Sequence, residues 1–170
     1  MRPQFLAVTL LCLFLGLGCA QTNLEERVRD LEREADRQAV TRLMYGYAHG
    51  IDGMDESLLR ETFAEDAVAH YEGVNFPMDD HLEGVDAIVA WLRTNVGGRE
   101  DAVPWHYMST ALVDVSGDHA TLRTFQHNRT MAGVGLYIVE AQRREEGWRI
   151  TSLHLEERIL DPGLLESLLK

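Results

Sequence analysis

Four long runs of strand-forming residues fill the second half of the chain, and they constrain its fold more than any other feature. The runs cover residues 105–115, 120–130, 134–144 and 148–160, and each of the three short turns between them contains a glycine. Strands joined by such short turns are antiparallel neighbours, because a parallel connection needs a crossover of a dozen or more residues. The sequence therefore predicts a four-stranded antiparallel meander.

Helices dominate the part of the chain before the meander. Apolar spacings of three and four residues, turn residues and alternation predict a helix over 24–49, a helix over 56–63, a strand over 67–71, an irregular loop over 72–83, a helix over 85–95 and, after the meander, a helix over 164–169. Asp55 is placed to cap the second helix, and Phe76 and Met78 favour a lid in the loop. This order indicates an α+β fold with the helices on one face of a strongly bent sheet.

The N-terminus has the pattern of a secretory leader. In residues 1–20 a single arginine precedes an uncharged apolar run, and small residues follow. The run is shorter than the roughly 20 apolar residues that a membrane-spanning helix needs. Two processing routes stay open, which are lipidation of Cys19, as in a bacterial lipoprotein, and ordinary cleavage after Ala20. We expect an exported protein that is periplasmic, or attached to a bacterial membrane only through a lipid on Cys19.

Beyond the leader we predict one domain with a charged extension. Residues 21–37 form a charged helical segment, which is read as a tether, a self-pairing helix or a frayed extension of the first helix. Residues 38–160 form the domain, and residues 161–170 contain a short C-terminal helix. The formal net charge of −12 excludes a nucleic-acid surface, which needs clustered Lys and Arg. Both cysteines lie in the leader, so no disulfide is predicted in the domain.

Several local signatures, in this order, resemble the SnoaL-like branch of the nuclear-transport-factor-two-like superfamily. The positions that carry the resemblance are Leu43, Tyr47, Asp52, Asp55, Phe63, Glu65, Asp66, Ala67, Gly84, Ile88, His106, Val113, Asp114, Val115, Gly117, Asp118, His119, Ala120, Gly135, Tyr137, Gly147, Trp148, Arg149 and Ile150. The resemblance implies a cone-shaped α+β barrel, in which three N-terminal helices pack in a strongly curved, mostly antiparallel sheet around an apolar cavity. It also implies a homodimer, because relatives often pair through the outer face of the sheet.

Family members resembling this chain include scytalone dehydratase, ketosteroid isomerase and polyketide cyclases. By similarity to the dehydratase, Asp52, Tyr71, His106 and His127 fall at the positions that surround its substrate. The chain departs from that enzyme at Ile51, where the dehydratase has a tyrosine, and near Leu136 and Ile138, where it has a serine and an asparagine. The resemblance therefore does not define the substrate.

An acid/base site can be assembled from these residues. Histidine titrates near neutral pH, and a carboxylate beside it stabilises the imidazolium, so Asp52 and His106 are predicted to act as a base and Tyr71 as the donor to a substrate oxygen. Predicted substrate contacts are Tyr47, Trp91, Trp105, His127, Arg129 and Tyr137. Structural interpretations compete: Asp52 could cap the second helix, His106 could be a buried structural histidine, and Arg129 could form a surface ion pair.

The resemblance, together with these candidate residues, implies cofactor-free lyase or isomerase chemistry on a small apolar molecule. It contains no HxH, HExxH or CxxC spacing, and it lacks a glycine-rich phosphate loop and a GxSxG motif, so neither a cofactor nor a metal site is predicted. The alternatives are a non-catalytic carrier of apolar ligands, in which Asp52 and His106 would lie apart, and an interaction module with an exposed apolar patch on the sheet.

Overall fold

The computed structural model describes residues 4–96, 105–128 and 131–170, with the backbone alone for residues 4–22. The chain divides into two compact units, residues 1–36 and residues 37–170. The described side chains of the first unit belong to helix α1, which spans Gln4–Gly53, and its apolar residues Leu24, Val28 and Leu31 are exposed. Within the described residues, no helix is long and apolar enough to cross a membrane.

Among the residues that the structure describes, the second unit contains the end of α1, three further helices and six strands. The further elements are α2 Glu56–Thr62, β1 Phe63–Gly73, β2 Asp79–Glu83, α3 Val85–Asn95, β3 Tyr107–Ser116, β4 His119–His127, β5 Gly133–Arg144, β6 Gly147–Ile159 and α4 Pro162–Leu168. Asp55 caps α2 as predicted, because its side chain accepts a hydrogen bond from the backbone N–H of Leu58 at 3.0 Å.

The strands form one curved sheet in the order β2-β1-β6-β5-β4-β3. The predicted meander is confirmed, because β3, β4, β5 and β6 pair antiparallel in sequence order. The predicted α+β fold is confirmed as well. The parallel pairing of β1 with β6 is compatible with the mostly antiparallel sheet that the resemblance implies, and the sheet is open rather than closed into a barrel.

The predicted loop over residues 72–83 is partly wrong, because it contains strand β2. This strand pairs antiparallel with β1, and its partly buried Leu82 packs against the core. Adjacent aspartates disfavour a strand in sequence, but charged residues are common on edge strands, where they discourage pairing with other molecules. The turn before β2 is not an open lid: the Asn75 side chain bonds the backbone of Ile159 in both directions at 2.9 Å, and Met78 packs against the core.

The core lies between the helices and the concave face of the sheet. Tyr47 of α1 is its centre, with ring contacts to Phe63 at 5.8 Å and to Tyr137 at 5.4 Å between centroids, both edge to face. Alternation along β4 and β5 sends Leu122, Thr124 and Gln126, and then Gly135, Tyr137 and Val139, into this space. Polar side chains on these inward positions are therefore the candidates for a functional site.

Candidate active site

Asp52 and His106 form a direct, mostly buried pair. Asp52 lies in the last turn of α1, and His106 lies just before β3. Its carboxylate Oδ1 is 2.7 Å from Nδ1 of His106, and its Oδ2 accepts the backbone N–H of the same residue at 2.9 Å. The side chains are 23% and 11% exposed. Asp52 is therefore held at two points by His106 and does not cap α2.

This contact determines what the imidazole can do. An ionised carboxylate only accepts hydrogen bonds, so Nδ1 of His106 carries a proton, and in the neutral form of the ring the lone pair is on Nε2. Burial opposes ionisation of Asp52, but the hydrogen bonds and the charge of His106 outweigh burial and lower the pKa of Asp52. The carboxylate thus lies against Nδ1, where it can stabilise the cation that forms when Nε2 accepts a proton.

Backbone strain accompanies the pair. Trp105, the residue directly before His106, has a φ of 41°, a left-handed conformation that costs energy for any residue with a side chain. Such conformations persist where surrounding contacts over-determine them, and the double contact between Asp52 and His106 is of this kind. The Trp105 side chain, a predicted substrate contact, is 45% exposed, so it does not form the wall of an enclosed pocket.

Three buried tyrosine hydroxyls form a cluster, and Asp52 of the pair acts electrostatically on one of them, that of Tyr137. The hydroxyl of Tyr47 donates to that of Tyr71 at 3.2 Å, and Tyr47 also shares a side-chain hydrogen bond with Tyr137. Burial raises the pKa of all three well above the ordinary value, so each keeps its proton at neutral pH. Three hydroxyls joined by two hydrogen bonds leave one O–H at an end of the chain to donate elsewhere.

Trp91, a predicted substrate contact, packs against the tyrosine cluster through Tyr71. Its ring stacks on the Tyr71 ring at 4.2 Å between centroids with an interplanar angle of 8°. The stack fixes the direction of the Tyr71 ring, and therefore that of its hydroxyl.

Glu157 is a further acidic group at this site, and sequence analysis missed it. It lies on β6 directly opposite Gly135 of β5, on the inward face with Leu155 and Ile159. Burial raises the pKa of Glu157, and the charge of His106 opposes this rise. Glu157 also acts electrostatically on Tyr47 and Tyr137, so it belongs to the same cluster. In sequence it stands within Glu156-Glu157-Arg158, which reads as a solvated charge run.

Gln126 is another polar side chain on the concave face. It is 5% exposed, and its Oε1 has no hydrogen-bond partner among the described residues. The register places Gln126, Gly135 and Glu157 side by side on β4, β5 and β6. A buried acceptor without a partner costs about 1–3 kcal/mol, so a bound molecule with an O–H or N–H group would relieve this cost.

The structure does not bring His127 to this site. Strand alternation sends Gln126 inward and His127 outward, where the His127 ring stacks on Tyr107 at 5.0 Å. The pocket position predicted for His127 is therefore corrected, and Gln126 occupies the inward place. Arg129, predicted to contact substrate, and Cys19, predicted to be lipidated, lie outside the described side chains, so both stay predictions.

Two surface cavities lie away from the pair. One, of about 350 Å³, is lined by residues 114–116, 119–121 and 140–142 and by Thr151, at the opposite end of the sheet from Gln126. The other, of about 550 Å³, is lined by residues 63–66 and 144–146 and by Arg60 and Arg149. Neither cavity includes any of the acid/base residues described above.

Comparisons with known proteins give the same fold. A family model described as a SnoaL-like domain matches residues 32–154. The structure of LinA has a TM-score of 0.64 at 18% identity, over 75% of this chain and 89% of that chain. The Kfla4162 protein from Kribbella flavida also has a TM-score of 0.64, at 21% identity, over 79% of this chain and 98% of that chain.

One structural neighbour has a proposed activity of its own. It is a proposed aromatic ring hydroxylase from Novosphingobium aromaticivorans, with 28% identity and a TM-score of 0.60 over 75% of this chain and 91% of that chain. No similar sequence was found among proteins whose functions have been curated. Function must therefore be inferred from the site itself.

Proposed function

Because the chain belongs to the SnoaL-like family, whose model matches residues 32–154, we propose that it binds a small, largely apolar molecule and transfers a proton on it without a cofactor. The observation that carries this proposal is the 2.7 Å contact between Asp52 Oδ1 and His106 Nδ1. A carboxylate in this position keeps Nε2 available as a base and stabilises the imidazolium that forms.

The proposed reaction begins when Nε2 of His106 removes a proton from a carbon next to a carbonyl group. The electron pair moves onto the carbonyl oxygen, and the free O–H of the tyrosine chain, which we assign to Tyr71, donates to that oxygen. An isomerase would then return the proton to another carbon of the substrate. In a lyase the electron pair would instead return from the oxygen to form a carbon–carbon double bond, and the C–O bond of a hydroxyl group on the adjacent carbon would break. That group would leave as water, with a proton supplied by Glu157 when its carboxyl group carries one.

Glu157 and Gln126 provide a proton donor and a hydrogen-bond acceptor for this reaction. A carboxyl group with a raised pKa holds its proton closer to neutral pH and can release it to a leaving group, while Asp52, whose pKa is lowered, stays ionised. The unpartnered Oε1 of Gln126 favours a substrate that also carries a hydrogen-bond donor. Tyr47, Phe63 and Tyr137 supply the apolar surroundings.

Direct detection of proton abstraction tests the proposal. A nitrobenzisoxazole is a small apolar probe: when a base removes its C–H proton, the N–O bond breaks, the electron pair ends on oxygen, and a coloured phenolate forms. We expect the purified chain to open this ring faster than an equal concentration of free imidazole. Native mass spectrometry of the purified chain should also find a small apolar ligand that carries a carbonyl group.

A non-catalytic carrier gives a different result in the same assay. It would retain a ligand in the mass spectrometer but open the nitrobenzisoxazole ring no faster than free imidazole. The direct contact between Asp52 and His106 argues against the carrier, because binding an apolar ligand needs no such pair.

Glu157→Gln is expected to stabilise the fold at neutral pH but not at acidic pH. Since the folded-state pKa of Glu157 is raised, the folded chain binds its proton more tightly than the unfolded chain, and wild-type stability falls as pH rises from about 4.5 through the folded pKa. Glutamine is neutral at every pH and avoids this loss. Urea unfolding of both proteins at pH 4.5 and 7.5 measures the effect.

The control for this prediction is Glu156→Gln, which changes the neighbouring residue on the same strand. The difference in unfolding free energy between Glu157→Gln and wild type should grow in favour of the variant as pH rises, whereas that for Glu156→Gln should not. Equal pH dependence in the two variants would contradict the placement of Glu157 at a buried site.

We also propose that two copies pair through the outer face of β3 and β4. Tyr107, Leu112 and Phe125 are exposed there by 44%, 65% and 55%, and the register of these strands puts all three on the convex side. Sedimentation should show a dimer for wild type and a monomer for Phe125→Glu, which puts a charge into this patch. A wild-type chain that stays monomeric at high concentration would refute the pairing.

A further inference from the structure

Three histidines from three neighbouring strands stack on the convex face of the sheet. The register places His70 of β1 directly beside His81 of β2 and His154 of β6. The ring of His70 lies 3.9 Å from that of His81 and 4.5 Å from that of His154, with interplanar angles of 16° and 10°. We call these three residues the histidine ladder.

Two carboxylates contact the histidine ladder through its Nε2 atoms. Oδ1 of Asp79 lies 2.8 Å from Nε2 of His70 and 3.2 Å from Nε2 of His81. Oε2 of Glu72 lies 3.0 Å from Nε2 of His154. The potential ligand atoms of His70, Asp79 and His81 all lie within 4.8 Å of one another, as do those of His70, Glu72 and His154.

We propose that His70, His81 and Asp79 bind a divalent transition-metal ion of the zinc class, with water as a fourth ligand. Around a tetrahedral zinc ion with bonds of about 2.0–2.1 Å, neighbouring ligand atoms lie about 3.4 Å apart. The two separations from Asp79 Oδ1, 2.8 and 3.2 Å, need to expand by about 0.6 and 0.2 Å to reach that value. His154 and Glu72 flank the site and offer alternative ligands.

The donor set selects this class of ion. Imidazole nitrogens suit Zn²⁺, Cu²⁺ and Ni²⁺, whereas Mg²⁺ and Ca²⁺ need a shell built mainly of oxygens. The parallel rings have parallel lone pairs, so one ring must turn for both Nε2 atoms to point at one ion. His81 is free to do so, because it lies on the edge strand and its side chain is 68% exposed.

This site is separate from the proposed acid/base site. Alternation along β1 sends the Tyr71 side chain into the core and the side chain of His70 to the opposite face. Metal binding therefore does not depend on the proposed function, and either can fail without the other. The sequence predicted no metal site because motifs such as HxH and HExxH place their ligands within one short segment. Here the ligands lie on different strands, and only the register of the sheet brings them together.

Isothermal titration with zinc chloride at pH 7.5 tests the proposal on metal-stripped, purified full-length chain. Cys12 and Cys19 are replaced by serine throughout, since thiolates also bind zinc. We expect saturable binding of one ion per chain. His70→Ala and Asp79→Asn should each lower the affinity for zinc by at least about 10- to 100-fold. That is the usual loss when a residue that only hydrogen-bonds to a metal ligand is removed, and direct ligands should matter at least as much.

His119→Ala is the matched control, because it removes an exposed histidine of β4 outside the histidine ladder. It should bind zinc as the parent does. If His70→Ala disturbs folding, Asp79→Asn still tests the site. Asp79 is 75% exposed on an edge strand, so this substitution should leave the fold intact. No binding by the parent at millimolar zinc, or equal affinity in Asp79→Asn and His119→Ala, would overturn the proposal.

Discussion

Replacing His106 with alanine is expected to slow opening of the nitrobenzisoxazole ring by about 10²- to 10⁴-fold, the usual contribution of a general base. The reason is the contact between Asp52 Oδ1 and His106 Nδ1 at 2.7 Å, which leaves Nε2 as the proton acceptor. Alanine removes that acceptor but leaves the other residues of the candidate site in place. The loss should therefore fall on kcat, with KM changed much less.

Asp52→Asn tests the same pair from the other side. An asparagine side chain can donate a hydrogen bond to Nδ1 and so favour the tautomer that places the proton on Nε2, which destroys the base while leaving the ring present. We expect a loss of the same order as for His106→Ala, and the double variant should lose little more than either single one. Additive losses would mean that the two residues do not act as a unit.

Two surface variants control for unspecific effects on the protein. Asp114→Asn and His119→Ala make similar changes at exposed positions of β3 and β4, and both should keep wild-type rates. Circular dichroism and melting curves identify any variant that fails to fold. If His106→Ala folds and turns over the probe within threefold of wild type, His106 is not the base.

The fold was predictable because its signals are local. Glycine turns between alternating runs defined β3 to β6, and apolar spacings of three and four residues defined the helices. The parallel pairing of β1 with β6 has no local signal. Tyr71 lies directly beside Leu155 in the sheet, but strands β2 to β5 separate the two residues along the chain. Such pairing depends on how the finished sheet packs, which no window of sequence shows.

The geometry of the candidate site was predictable only in part, because alternation along each strand decides which side chains face inward. His127 and Gln126 are neighbours, and a shift of one residue exchanges their faces, so the resemblance to the dehydratase points to the histidine although the glutamine lies inside. Glu157 carried a usable signal, since Leu155, Glu157 and Ile159 alternate on one face. Its charged neighbours concealed that signal.

Tyr71→Phe is expected to lower kcat for the same probe by about 10²- to 10³-fold, as the loss of one donor to a developing oxyanion does. The phenolate oxygen gains charge as the N–O bond breaks, and the one free O–H of the tyrosine chain is the donor available to it. Phenylalanine keeps the ring stacked on Trp91 at 4.2 Å, so packing is preserved. Stability should fall by only about 1 kcal/mol, for one lost hydrogen bond.

The comparison with Tyr137→Phe locates the free proton, because Tyr71 and Tyr137 lie at opposite ends of the hydroxyl chain through Tyr47. A larger loss in Tyr71→Phe places the donor at Tyr71, and a larger loss in Tyr137→Phe moves it to the other end. Tyr107→Phe, on the convex face, should have no effect. If the Tyr71 and Tyr137 variants both stay within threefold of wild type while His106→Ala is inactive, the base acts without a tyrosine donor, and the cluster is only part of the core.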